Sequence, residues 1–270
     1  MDKFQLIYWT ALTGIISDLA TGLGAIPVAY IRNRSQVVRA FAGAVAAGMM
    51  ISASVFSLAQ EGIALQVKRP LAPYEVIIGL LLGAAFFWRV EKFYEGRDLH
   101  IGKMGKGTTK KGFLIFLAMF FHSIPEGIAI GVGFGTGDFN FGLIMALAIS
   151  VHNIPEGIAI SLPLRAEGAS ILKCAGYSIL SSLPQPVFAI PAALAVWFFE
   201  PLLALGLGFA GGAMIYLVVA ELIPDALEEG GKSLTAWGVM VGLAGMLLVT
   251  NLLDLINGYL SRHFSTIILL

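Results

Sequence analysis

The sequence predicts an all-α membrane protein: eight transmembrane helices forming one domain over residues 1–270, with both termini extracytoplasmic. Three observations carry this expectation. Hydrophobic residues make up 57% of the 270 and charged residues 13%, against about 45–50% and about 25% in an average globular chain. With a mean hydropathy of +0.85, a chain this poor in charge cannot coat a water-facing surface of its size, so most of that surface must face lipid. Finally, the apolar residues fall in continuous runs of about 20 residues or more, enough to cross a bilayer as helices. A membrane β-barrel would instead show alternating segments of about ten residues.

Taken in order, charged or Gly/Pro-rich breaks divide the chain into runs at about 4–30, 37–65, 73–94, 112–136, 140–163, 171–199, 201–227 and 234–260. MDKFQLIYW lacks a basic leader and its apolar stretch outlasts that of a signal peptide, so it reads as the start of the first span. Orientation follows from the basic residues in and beside the connections. The odd-numbered connections hold Arg32, Arg34 and Arg39; Arg89, Lys92, Arg97, Lys103, Lys106, Lys110 and Lys111; Arg165 and Lys173; and Lys232. That is thirteen of 17, and only Lys3, Lys68, Arg69 and Arg262 lie on the other side. The odd connections are therefore expected in the cytoplasm. The longest of them, 95–111, contains IGKMGKGTTKK and reads as a flexible solvated loop, with a regulatory or metal-handling role as the alternative.

Basic and acidic residues balance at 17 each, so there is no nucleic-acid footprint. The single cysteine, Cys174, rules out an internal disulfide framework and any multi-cysteine metal cluster. It is expected to be a small buried side chain.

Charges within spans are costly and normally face a bundle interior or a water-filled path. Away from the cytoplasmic ends these are Asp18, Glu61, Glu126, Glu156, Glu221 and Asp254, joined by His122 and His152. Four of the eight sit in one repeated motif, FHSIPEGIAIGVGF at 121–134 and VHNIPEGIAISLPL at 151–164. HSIPEGIAI and HNIPEGIAI, thirty positions apart, differ only at Ser123 and Asn153. The histidine and glutamate of each copy are four residues apart and project from one helix face. The proline between them withdraws the amide hydrogen that the carbonyl of Phe121 or Val151 would otherwise accept. Such broken backbone is tolerated at membrane depth only where it is buried in protein or lines a cavity. A short connection, GTGDFN, makes the two helices antiparallel, so the copies can meet around a pseudo-two-fold axis. Imidazole with carboxylate suits zinc and neighbouring divalent transition metals; the competing reading is two polar pairs that hold helices together.

Other polar positions are weaker signals. Asp18 lines a path or is a buried, hydrogen-bonded aspartate. Ser54, Ser57 and Glu61 share a face and could pass an ion inward, although Glu61 is better read as a solvated carboxylate near the outer end. Glu221 is a mouth residue or a metal contact. Asp254 and Asn251 are expected at an interface, and His100 and His263 in solvent. Gly127, Gly131 and Gly135 form a close-packing face, and Met119 is expected to pack.

At the paired motifs the chain resembles the ZIP family of divalent metal transporters, in particular its GufA-like bacterial branch, and the likeness covers nearly the whole length. The resemblance implies eight spans with both termini outside, a variable cytoplasmic loop after span three, and residence in the bacterial inner membrane. It implies transport of Zn²⁺, with Fe²⁺, Mn²⁺, Co²⁺ and Cd²⁺ as further candidate cargo, toward the cytoplasm through a midplane His/Glu site on helices four and five. The implied partners are divalent ions and the lipid bilayer, with a homodimer as a candidate assembly. By matching motifs, His122 and Glu126 fall on the span-four metal ligands, and His152, Asn153 and Glu156 on the span-five positions, with the two glutamates bridging when two metals are bound. Ser123 stands where asparagine is common in the family. Gln185, in SSLPQPVFA, stands where the family often has a span-six glutamate, and the two replacements weaken a second metal position. The chain is expected not to be an enzyme. The rival, an intramembrane metal-dependent hydrolase, lacks an H-E-x-x-H helix here, and no P-loop for ATP-driven pumping is present.

Overall fold

A computed structural model of the chain describes residues 1–30, 36–95, 110–166, 168–199 and 202–268. All regular structure among these residues is helical: α1 (Lys3–Leu23), α2 (Ala25–Tyr30), α3 (Gln36–Ser52), α4 (Gln60–Ala64), α5 (Ala72–Glu95), α6 (Lys110–Gly135), α7 (Phe139–Ala166), α8 (Ile171–Ser182), α9 (Pro184–Phe198), α10 (Leu202–Leu217) and α11 (Ile223–Ile268). Asp2 starts α1, its carboxylate accepting the Gln5 amide hydrogen while the Gln5 side chain accepts from the Asp2 amide. Two π-helical turns interrupt the regular pitch, Ala53–Ala59 between α3 and α4 and Val218–Leu222 between α10 and α11. A short 3₁₀ turn, Leu65–Val67, follows α4.

Six helical segments among the described residues are long and apolar enough to cross a membrane: Lys3–Tyr30, Gln36–Val67, Ala72–Lys92, Phe139–Leu162, Ile171–Phe198 and Leu202–Leu253. Ile171–Phe198 is not one smooth rod. Its α8 part ends at Ser182 and α9 begins at Pro184, because Pro184 and Pro186 have no amide hydrogen for the carbonyls one turn earlier. Within α11, Gly231 has φ 76° and ψ 171°, a backbone state that only glycine adopts cheaply, and it falls in the connection expected between the last two runs.

The helices pack as two groups. In one, α11 lies on α3 and α10 on α5; in the other, α6 packs on α9 and α7, and α1 packs on α7, α8 and α9. Contacts of α10 with α6 and of α3 with α7 join them. The predicted glycine face is what lets α6 approach α9. A Cβ added at Gly127 or Gly131 would overlap the carbonyl oxygen of Gln185 or Ala189, and one at Gly135 would lie 2.7 Å from the Val196 Cβ. Close approach of this kind replaces the hydrophobic drive that is missing between helices in lipid.

Burial is distributed as lipid demands. Large apolar side chains such as Phe4, Leu81 and Trp237 are more than two-thirds exposed, whereas Ser17, Glu126, His152, Asn153, Glu156 and Gln185 are all but completely buried. Cys174 is buried and unpaired, as expected.

Candidate metal centre

The centre lies where α6, α7, α9 and α1 meet. Both motifs sit inside long helices, α6 of 26 residues and α7 of 28, and Pro125 leaves α6 helical on both sides. Glu126, His152 and Glu156 converge with one ligand atom from each within 4.8 Å of the others, and all three are buried. His152 Nε2 lies 2.7 Å from Glu126 Oε1. This pairing runs between helices, from α7 to α6.

The remaining contacts form a chain of amides. Gln185 Nε2–H donates to the other Glu126 oxygen, Oε2. Asn153 Nδ2–H donates to Gln185 Oε1 at 3.1 Å, to the Ser17 carbonyl at 2.9 Å and to Ser17 Oγ at 3.1 Å. Ser123 Oγ–H donates back to the Met119 carbonyl at 3.0 Å, so this hydroxyl hydrogen is spent within α6. Of the seven expected site residues, Glu126, His152, Asn153, Glu156 and Gln185 are brought together, and Ser123 is buried on α6 three residues before Glu126. His122 is in α6 by its backbone, and its side chain lies outside the described residues.

Two buried polar atoms at the centre, His152 Nδ1 and Asn153 Oδ1, have no hydrogen-bond partner. If His152 donates its Nε2 hydrogen to the Glu126 carboxylate, Nδ1 carries a lone pair, and Asn153 Oδ1 is an acceptor by nature. A buried cluster of two carboxylates, an imidazole and two unserved acceptors is rich in exactly the groups that ligate a cation. Zinc with ligands at about 2.1 Å in a tetrahedron holds them about 3.4 Å apart, so the present spread of up to 4.8 Å needs only side-chain adjustment.

Sequence reasoning missed Ser17. The available signal was a buried row of small polar residues on α1, Thr10, Thr13, Ser17 and Thr21, at helical spacing. The row also ties α1 to α8, the Thr21 and Ser182 hydroxyls being 2.8 Å apart, and a similar pair, Ser161 and Ser178 at 3.1 Å, links α7 to α8. Asp18 is buried in α1, but its Oδ1 has no hydrogen-bond partner. Glu61 is exposed, and Glu221 is half-buried in the second π turn. Met119 is buried among apolar neighbours. The loop over 96–109 with His100, and the side chains of Asp254 and His263, lie outside the described residues.

Fold and site together define a polytopic α-helical membrane protein with a buried carboxylate–imidazole centre. The family model described as ZIP Zinc transporter matches residues 96–250, a stretch that includes both motifs and Gln185. Zinc transporter GufA of Myxococcus xanthus is 34% identical over 237 residues, covering 86% of this chain and 93% of the relative. Zinc transporter ZIPB of Bordetella bronchiseptica is 32% identical over 259 residues, covering 89% and 80%. A relative from Arabidopsis thaliana is 37% identical over 247 residues, and there the match spans 90% of this chain but 39% of the plant protein. The chain belongs to the ZIP zinc transporter family.

Proposed function

We propose that the chain carries Zn²⁺ across a bacterial inner membrane toward the cytoplasm, through a centre formed by His122, Glu126, His152 and Glu156, with Ser123, Asn153 and Gln185 beside it. The observation that carries this reading is the burial of Glu126, His152 and Glu156 as one cluster. Buried ionised carboxylates are costly unless a cation or strong donors compensate them, and a divalent ion neutralises two of them. The relatives named as zinc transporters support zinc as cargo, and the imidazole–carboxylate donor set also suits Fe²⁺, Mn²⁺, Co²⁺ and Cd²⁺. In this reading the ion sheds water at the outer mouth, exchanges it for these ligands at mid-membrane, and leaves when helix rearrangement opens the cytoplasmic side.

The same reading has eight spans with both termini outside, and the 95–111 connection in the cytoplasm. The 26 residues of α6 supply one span beyond the six long segments. Leu202–Leu253, at 52 residues, would be about 78 Å long as a continuous helix, more than twice the roughly 30 Å hydrocarbon core. Division at Gly231 makes it two spans. A homodimer is the assembly in this reading. Transport fits the site better than hydrolysis, since two carboxylates flanking one ion suit capture and release, and the named relatives are transporters.

The test is uptake by proteoliposomes of the purified full chain, across a panel of divalent metals with and without a proton gradient. Zinc should accumulate in the lumen, and Glu156→Ala should abolish the uptake while leaving a monodisperse, helical protein. Wild-type uptake by that variant would overturn the assignment.

A further inference from the structure

The amide chain beside the centre has a direction, and a backbone atom sets it. The Ser17 carbonyl can only accept. Asn153 must therefore present its NH₂ group to Ser17, and that group also reaches Gln185 at 3.1 Å. Gln185 must in turn offer Oε1 to Asn153, which leaves its own NH₂ facing Glu126 Oε2. Turning Asn153 over would set its oxygen against both the Ser17 carbonyl and Gln185 Oε1, and turning Gln185 over would set NH₂ against NH₂ at Asn153 and oxygen against oxygen at Glu126, in a site where all four residues are at most 1% exposed. Unpaired polar groups at that depth are expensive. The side chain at position 185 is thus locked as a donor, and its carbonyl oxygen points away from Glu126.

This fixes the electrostatics on the α9 side of Glu126. His152 takes one oxygen and the Gln185 amide takes the other. A second cation bridging from Glu126 toward α9 would have to sit where N–H groups with positive partial charge already point. Charge balance gives the same answer. The described acidic side chains of the cluster are Glu126 and Glu156, so one divalent ion brings the pair to zero and a second would leave an uncompensated +2 inside the membrane.

We propose that Gln185, locked by Asn153 and the Ser17 carbonyl, stands in for a second cation on Glu126, so that this chain holds one divalent ion at a time. The proposal rests on the transport centre described above and adds its ion count and the device that enforces it. It makes Gln185 and Asn153 positioning residues for Glu126, and it makes α1, through Ser17, a structural part of the centre.

The experiment counts zinc per chain on the purified, gel-filtered full chain by inductively coupled plasma mass spectrometry, with protein quantified by amino-acid analysis. Wild type should bind one zinc. Gln185→Glu replaces the donor with a carboxylate, so the count should rise above one. Adding Asn153→Asp gives four carboxylates, which two divalent ions balance, and the count should reach two. A zinc–zinc scattering path in X-ray absorption spectra should then appear in the double variant and be absent from wild type. If the double variant does not fold, Gln185→Glu alone carries the comparison. Two ions in wild type, or a single ion in every folded variant, would overturn the proposal. Glu126→Gln on the same preparation separates this from failure of the transport reading: zinc retained at wild-type affinity there would mean that the ion binds elsewhere.

Discussion

Replacing Glu126 with glutamine separates what this carboxylate does for the fold from what it does for cargo. In the wild type its two oxygens face His152 Nε2 and Gln185 Nε2. A glutamine of the same size can turn its oxygen to Gln185 and its NH₂ to His152. The imidazole can meet that donor by carrying its hydrogen on Nδ1, an atom with no partner in the wild type. Both contacts survive as neutral hydrogen bonds, each worth about 0.5–1.5 kcal/mol against about 1.5–3 for a charged one, so the fold should lose roughly 2–3 kcal/mol. Cargo binding loses far more. One of two carboxylates is gone, and a bound divalent ion leaves a net positive charge at the centre. Loss of an outer partner of a metal ligand costs about 10–100-fold, so losing a charged ligand should exceed about 100-fold, roughly 2.8 kcal/mol. Zinc titration calorimetry in detergent and uptake by proteoliposomes read the second effect, and thermal unfolding of the same sample reads the first. The expected result is a moderately lowered unfolding midpoint of a still folded protein, with zinc affinity down more than about 100-fold and uptake lost. Affinity and uptake within about threefold of wild type, a change under about 0.7 kcal/mol, would refute the reasoning.

Other outcomes follow from the same geometry. Ser17→Ala removes one neutral acceptor from Asn153 but keeps the carbonyl that sets the direction of the chain, so zinc affinity should fall only about two- to fivefold by calorimetry. Gly131→Val drives a side chain into the Ala189 carbonyl and should lower stability by about 1–3 kcal/mol or more, read by thermal unfolding. Gly43→Ala, where an added Cβ meets nothing within 4 Å, should be neutral or stabilising by up to about 1 kcal/mol. Protons compete with zinc for the imidazole and carboxylate atoms, so initial uptake without an imposed gradient should fall as pH is lowered from about 7 to 5; a flat profile would count against histidine ligation.

Much of this protein is determined by sequence alone, for local reasons. A run of apolar residues long enough to span, a proline between a histidine and a glutamate, and a glycine every fourth residue each act through the helix that contains them, so the helical class, both motifs and the close-packing face of α6 were legible directly. The glycine at 231 was legible only as part of a polar break, since its positive φ is a property of the folded backbone. What tertiary structure decided is which faces meet. The spacing couples His152 with Glu156 on one helix, yet the fold sets His152 against Glu126 of another, because the glycine-lined face of α6 fixes how deeply it seats among its neighbours. Gln185 entered the reading only through family resemblance, and Ser17 not at all: Gln185 is a lone polar residue in an apolar helix and Ser17 one of a row of small polar residues, and nothing local distinguishes a site partner from helix glue. Their separations in sequence from the residues they touch, 59 between Gln185 and Glu126 and 136 between Ser17 and Asn153, lie far beyond any helical period. The direction of the amide chain, and with it the donor aimed at Glu126, exists only once the Ser17 carbonyl of α1 is packed against α7.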